Sequence, residues 1–192
     1  PGENITLSIV LQPAMLELAD QFMLSATVAL GILDFFRHYA GNDSRIKWSN
    51  DIYWRDRKAG GILIENILRG NNWQYAIIGI GLNINEVDFP EHLPNPVSLR
   101  QITKQSWDVV KLAKMLCRQI ENRYLQLHPK NFGRILADYK EALFRLGEPA
   151  KYKINGATFT GIITDVLPDG KLIIMKDNIP TRFDFGELEF VI

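Results

Sequence analysis

The chain has one cysteine, three histidines and no excess of either charge. Cys117 alone cannot close an internal disulfide, so a reducing, cytoplasmic setting is expected. His38, His92 and His128 are dispersed, which excludes the spacing of a histidine metal site. Lys+Arg and Asp+Glu are both 22, so the formal net charge is zero and no global field draws nucleic acid to this chain. A local phosphate site survives that argument, because it needs only a few cations and backbone amides. No run reaches the roughly eighteen consecutive apolar residues of a membrane span, and the first residues do not form a signal peptide. There is no GxSxG elbow, no GKS or GKT, and no GxGxxG opening a helix; serine hydrolase, Walker A and dinucleotide-fold readings lose their support.

At 192 residues with 46% hydrophobic content, the chain can bury one core and carry a small second module. Residues 4–12 alternate polar and apolar and predict a strand with Ile5, Leu7, Ile9 and Leu11 on one face. Pro13 suits the first turn of a long apolar helix running to about Ala40, with Gly41 as its stop. Residues 46–53, 60–68 and 73–80 predict three further strands, the last two joined by a turn at Gly70-Asn71-Asn72 and therefore antiparallel. Three prolines make residues 85–96 a loop or lid. Ser106 is placed to cap a helix over about 107–127, and a last helix spans about 132–146 before Gly147. From Pro149 onward about five short strands, turned at Asn155-Gly156 and Asp169-Gly170, predict a small SH3-like barrel. The fold class is α+β: a mixed, partly antiparallel sheet packed on helices over 1–147, then a β-domain over 148–192.

Between two apolar runs lies Lys47-Trp48-Ser49-Asn50-Asp51-Ile52-Tyr53-Trp54-Arg55-Asp56-Arg57-Lys58-Ala59-Gly60-Gly61. Such a mixture of cations, a carboxylate, an amide and paired glycines cannot all be core. A strand-loop-strand would bring Lys47 and Lys58 to one anion as mobile point charges. Asp51 offers hard oxygen for a divalent cation, and Asn50 can orient it or a ligand oxygen. Gly60 and Gly61 would let backbone approach a ligand where a Cβ would clash. Taken singly, each of these is ordinary surface; Arg55-Asp56-Arg57 equally suits a solvated turn. Gly79-Ile80-Gly81-Leu82-Asn83 ends a strand, and a lone GxG often means only a bulge. Followed by Asn83, it could admit a nucleotide and present an amide to an adenine edge.

Together these stretches resemble the biotin protein ligases, the biotin-[acetyl-CoA-carboxylase] ligases. The resemblance begins at Pro1-Gly2-Glu3-Asn4-Ile5-Thr6-Leu7-Ser8. It continues through Lys47–Asp51, Asp56–Glu65 and Gly79–Asn85 into the final β-module. It implies a fold like that of the class II synthetases and an ATP-dependent, two-step enzyme. Biotin and ATP with Mg²⁺ form biotinyl-5'-AMP, and biotin then passes to a lysine of a biotin carboxyl carrier domain. The resemblance makes Lys58 the contact to biotin carboxylate and bridging phosphate, places Lys47 near the phosphates, and gives Asn50 and Asp51 to nucleotide and metal. Gly79, Gly81 and Asn83 match the nucleotide site, Gly60 and Gly61 the floor of the biotin pocket; Arg57 joins the binding set.

Two departures bear on this expectation. Ser49 stands where the family often has proline. The family's arginine- and glycine-rich loop of GRGRxGR type, expected upstream of Pro1, is not within these residues, nor is a DNA-binding module. The expectation is therefore the C-terminal portion of a longer ligase. A lipoate-type ligase and a noncatalytic biotin- or nucleotide-binding module are the alternatives. No membrane partner is expected, and an exposed sheet edge leaves room for a homodimer.

Overall fold

The computed structural model describes residues 2–70 and 72–192. Pro1, where the resemblance begins, and Asn71 of the expected turn lie outside the described residues. Strands β1 (Ile5–Leu11), β2 (Ser44–Lys47), β3 (Asp51–Trp54), β4 (Arg57–Arg69) and β5 (Asn72–Leu82) form one sheet in the order β1-β5-β4-β3-β2. Every ladder in it is antiparallel. The sheet itself is thus antiparallel throughout, and parallel pairing is confined to isolated bridges, Ile46 with Leu143 and Lys58 with Pro96.

One face of this sheet is covered and the other is open. On β1 the odd residues face inward, as their alternation requires, with Ile5 buried; on β5 the even residues Ala76, Ile78, Ile80 and Leu82 do the same. They pack on α1 (Gln21–Ala40), whose buried side includes Phe22, Leu24, Val28, Ile32, Leu33 and Phe36. Helix α3 (Val109–Tyr124) lies behind α1 at a glycine: a Cβ on Gly31 would come within 2.8 Å of the Ile120 Cα. By length and composition the segment Leu18–Ala40 could cross a membrane, but 67% of its most apolar eighteen-residue stretch is buried in this protein, so its apolarity is that of a core helix.

Several boundaries move from their expected places. The helix begins at Gln21, after a 3-10 turn over Leu18–Asp20 whose own start is closed by the Asp20 carboxylate accepting the Glu17 N–H (3.2 Å). Asp108, not Ser106, caps α3, its carboxylate accepting from the Lys111 N–H at 2.9 Å. A short helix α2 (Leu99–Thr103) precedes it, capped by Ser98. Helix α4 (Phe132–Glu141) stops short of Leu146, because residues 142–144 leave it to bridge β2: Ile46 donates to the Ala142 carbonyl (2.9 Å) and Phe144 to the Ile46 carbonyl (2.8 Å). The single strand expected over 46–53 is a hairpin, β2 and β3 turning through Trp48–Asn50.

The chain then builds a second antiparallel sheet from β6 (Pro149–Ile154), β7 (Ala157–Val166), β8 (Leu172–Lys176), β9 (Ile179–Phe183) and β10 (Glu189–Val191), in the order β10-β6-β7-β8-β9. Its hairpins use residues that tolerate positive φ: Asn155-Gly156 at +47° and +86°, and Asp177-Asn178 at +49° and +63°.

Candidate active site

The turn between β2 and β3 brings the two ends of the charged motif together. Lys58 Nζ lies 2.7 Å from Asp51 Oδ1, and Lys47 Nζ lies 3.9 Å from Asp51 Oδ2. Register explains the meeting: Lys47 pairs with Asp51 across the first hairpin, and Asp51 with Gly61 across the second. Gly61 leaves room for the cluster, since a Cβ there would sit 3.1 Å from Asp51 Oδ1. Lys47 and Asp51 side chains keep only 17% exposure each, against 39% for Lys58. Burial lowers the Lys47 pKa, partly offset by Asp51, with Lys58 adding to the lowering. Burial and then the neighbouring Asp51 push the Tyr53 phenol up to about 12, keeping it neutral.

Lys58 is held from behind by its own backbone. Its N–H donates to the Asn95 carbonyl (3.0 Å) and its carbonyl accepts from the Val97 N–H (2.8 Å), so the proline-rich segment runs along it as a wall. A cleft of about 430 Å³ opens there, lined by Lys58, Gly60, Gly61, Gly81 and Asn83, with Asn4 and Thr6 of β1 and Leu93, Pro94 and Pro96 of the wall. Its glycines differ in role. A Cβ at Gly81 would meet nothing within 4 Å, so this glycine keeps space open; at Gly60 it would strike Leu82 at 2.4 Å and the Gly81 carbonyl at 2.5 Å, so that glycine serves packing. Gly79 pairs with Leu63, beyond the cleft lining.

Three expected ligand contacts are engaged within the protein. The Asn83 amide donates to the Val97 (3.2 Å) and Lys58 (3.4 Å) carbonyls, tying wall to strand. Arg57 donates to the Pro96 carbonyl (2.6 Å) and to Gln101 Oε1 (3.2 Å), bracing the same wall. Asn50 donates to the Ile62 carbonyl (2.6 Å) and lines a neighbouring cleft of about 320 Å³ with Ser49, Phe22, Ile62, Leu63 and Phe185. Strand β4 thus runs between two clefts, Gly61 facing one and Ile62 the other.

Sequence reasoning missed the supports. Tyr139, fully buried on α4, donates to the Ser49 carbonyl at 2.9 Å and meets Phe22 edge-on. Trp48 donates from Nε1 to the Gly170 carbonyl at 2.9 Å and stacks on Phe185 at 5.2 Å. Tyr139 reads in sequence as an ordinary helix aromatic, and although Trp48 lies within the charged motif, nothing local points to its partner Gly170.

The profile of the biotin/lipoate A/B protein ligase family matches residues 1–83, from the chain's start to Asn83 at the cleft. Over that stretch the chain is similar to this family. It is 28% identical over 177 residues to the bifunctional ligase/repressor BirA of Bacillus subtilis, covering 90% of this chain and 54% of that protein. It is also 28% identical over 134 residues to a biotin–[acetyl-CoA-carboxylase] ligase of Mycobacterium tuberculosis, covering 69% and 47%. The chain therefore spans about half the length of the curated relatives it matches. In structure it is similar to the Aquifex aeolicus biotin protein ligase in complex with biotin and ATP, with a TM-score of 0.81 at 22% identity, covering 98% of this chain and 79% of that one. The likeness, which runs through both sheets, is one of fold.

Proposed function

We propose that this chain carries the catalytic centre of a biotin-protein ligase, which forms biotinyl-5'-AMP and passes biotin to a carrier lysine. The observation that carries the proposal is the convergence of Lys58 and Lys47 on Asp51 beside a glycine-floored cleft. The chemical difficulty of the first step is the approach of one anion to another, which fixed cations at the meeting point relieve. Biotin carboxylate oxygen attacks the α-phosphorus, the bond to pyrophosphate breaks, and an acyl-adenylate remains. In this reading Lys58, the more exposed lysine, bridges carboxylate and phosphate, and Lys47, largely buried beside Asp51, supports the polyphosphate. In the second step the carrier amine attacks the acyl carbon and AMP leaves. Gly81 keeps the floor open, and Asn83 and Arg57 act by fixing the wall, with the Asn83 side-chain Oδ1 left for an adenine edge.

Magnesium needs one or two carboxylates when nucleotide phosphates supply its other oxygens, so Asp51 suffices as its protein ligand. Bound with the nucleotide, it would neutralise phosphate charge. We further take residues 1–147 as the catalytic domain and 148–192 as an SH3-like accessory domain.

The test is to incubate the full natural protein with biotin, MgATP and a biotin carboxyl carrier domain and to weigh the carrier. A biotin-sized gain on one lysine supports the reading, and no gain with an intact carrier removes it. A lipoate ligase is the second reading, favoured by a family profile that spans both acids; competition between biotin and lipoate for the cleft separates the two.

A further inference from the structure

Lys47 does not depend on the first sheet alone. Its ammonium lies 4.7 Å from the centre of the Phe190 ring on β10, besides 5.3 Å from Tyr53 and 3.9 Å from Asp51 Oδ2. Phe190 is itself held edge-to-face by Tyr152 at 5.2 Å, directly across β6. The second sheet is in turn fastened to both ends of the charged motif. Trp48 donates to the Gly170 carbonyl, and Arg145 spans Asp56 Oδ1 (3.0 Å) and the Val191 carbonyl (3.4 Å). Gly170 permits the first contact: at φ +89° it admits the turn, and a Cβ there would collide with Phe22 and Phe185 at 2.6 and 2.8 Å.

We propose that Phe190 is a positioning residue for Lys47, its ring fixing the ammonium beside Asp51 at the point where the nucleotide phosphates arrive. The inference rests on the ligase reading and extends it to a residue of the second sheet. A lysine carries a flexible four-carbon stem, and an unheld ammonium would lose rotamer freedom each time it met the phosphates. An aromatic face removes that loss in advance, because it attracts the cation without neutralising it. Asp51 alone would hold the charge but also compete with phosphate for it. A ring and a carboxylate together leave one side of the ammonium open to a ligand. Glu189, next to Phe190, is paired with Lys153 and is not a rival for Lys47.

The test compares Phe190→Leu, which keeps apolar volume but removes the π face, with Phe190→Tyr, which keeps the ring, both in the full natural chain. Phe190→Leu is expected to lower kcat/KM for ATP in adenylate formation by roughly five- to thirtyfold. Biotin affinity should stay at the wild-type value, and Phe190→Tyr should restore the rate. The Lys47 ε-methylene protons, assigned by Lys47→Arg, should be shielded by the ring in wild type and Phe190→Tyr but not in Phe190→Leu. A Phe190→Leu enzyme with wild-type ATP kinetics, a parallel loss of biotin affinity, or no shielding in the wild type would each overturn the proposal. A wild-type chain that binds biotin and MgATP yet forms no adenylate removes the ligase reading instead, while the shielding comparison continues to report on Phe190.

Discussion

Two glycines on neighbouring strands should answer the same substitution in opposite ways. Gly60 and Gly81 both line the cleft, and Gly60 is paired with Leu82, next along β5. A Cβ on Gly60 would lie 2.4 Å from a Leu82 methyl and 2.5 Å from the Gly81 carbonyl oxygen. The methyl can turn away, but the carbonyl belongs to the β4–β5 ladder and cannot. Gly60→Ala should therefore cost about 1–3 kcal/mol, the range for overpacking a close-fitted site. A Cβ on Gly81 meets no atom within 4 Å, and a glycine replaced within a strand gains about 0.5–1 kcal/mol of backbone entropy. Gly81→Val should leave stability unchanged or slightly raised while filling the cleft, weakening biotin or nucleotide binding roughly five- to a hundredfold by the same overpacking range. Urea denaturation supplies the first quantity and calorimetric titration with biotin and ATP the second. A stable Gly60→Ala protein, or a Gly81→Val protein that binds both ligands at wild-type strength, would refute the assignment of packing to one glycine and clearance to the other.

Lys58→Ala should lower adenylate formation by roughly a hundredfold or more, the scale of losing a charge at a reacting centre. Its stability should change by no more than about 1 kcal/mol, because the Lys58–Asp51 pair is partly exposed; pyrophosphate exchange and thermal melting measure the two. Tyr139→Phe should destabilise the fold by about 1–3 kcal/mol, since the buried Ser49 carbonyl loses its donor; a denaturation midpoint equal to wild type would remove Tyr139 from the support of the turn. Arg57→Met should loosen the segment at Pro96 and Gln101, raising amide exchange at Lys58 and Val97, whose N–H groups join wall to strand, without altering exchange in β1; equal exchange at all of these would separate Arg57 from the wall.

How much could be read in the sequence depended on the range of the interaction. Strand alternation over residues 4–12, the strand over 73–80, the two-residue turn at Asn155-Gly156 and the stop at Gly41 are local properties, and each stands where its chemistry put it. The helix starts failed because a 3-10 turn closed by Asp20 intervenes before the first helix and Asp108 caps α3 by binding the Lys111 N–H, whereas Pro13 and Ser106 only look suited to the task. The early end of α4 is a different kind of miss: its periodicity continues, and only the pull of β2 on residues 142–144 ends it. The charged motif shows the same division. Lysines and carboxylate in one short segment announced a charge cluster, and a hairpin at Trp48–Asn50 suffices to join them. Whether an amide is spent on the protein or kept for a ligand is a long-range matter: Asn83 gives its N–H groups to residues 58 and 97. By the same logic nothing near Lys47 in sequence points to Phe190. The two meet because β10 pairs with β6 while the turn at Gly170 is held by Trp48, so the residue that most needs holding is held by the part of the chain farthest from it.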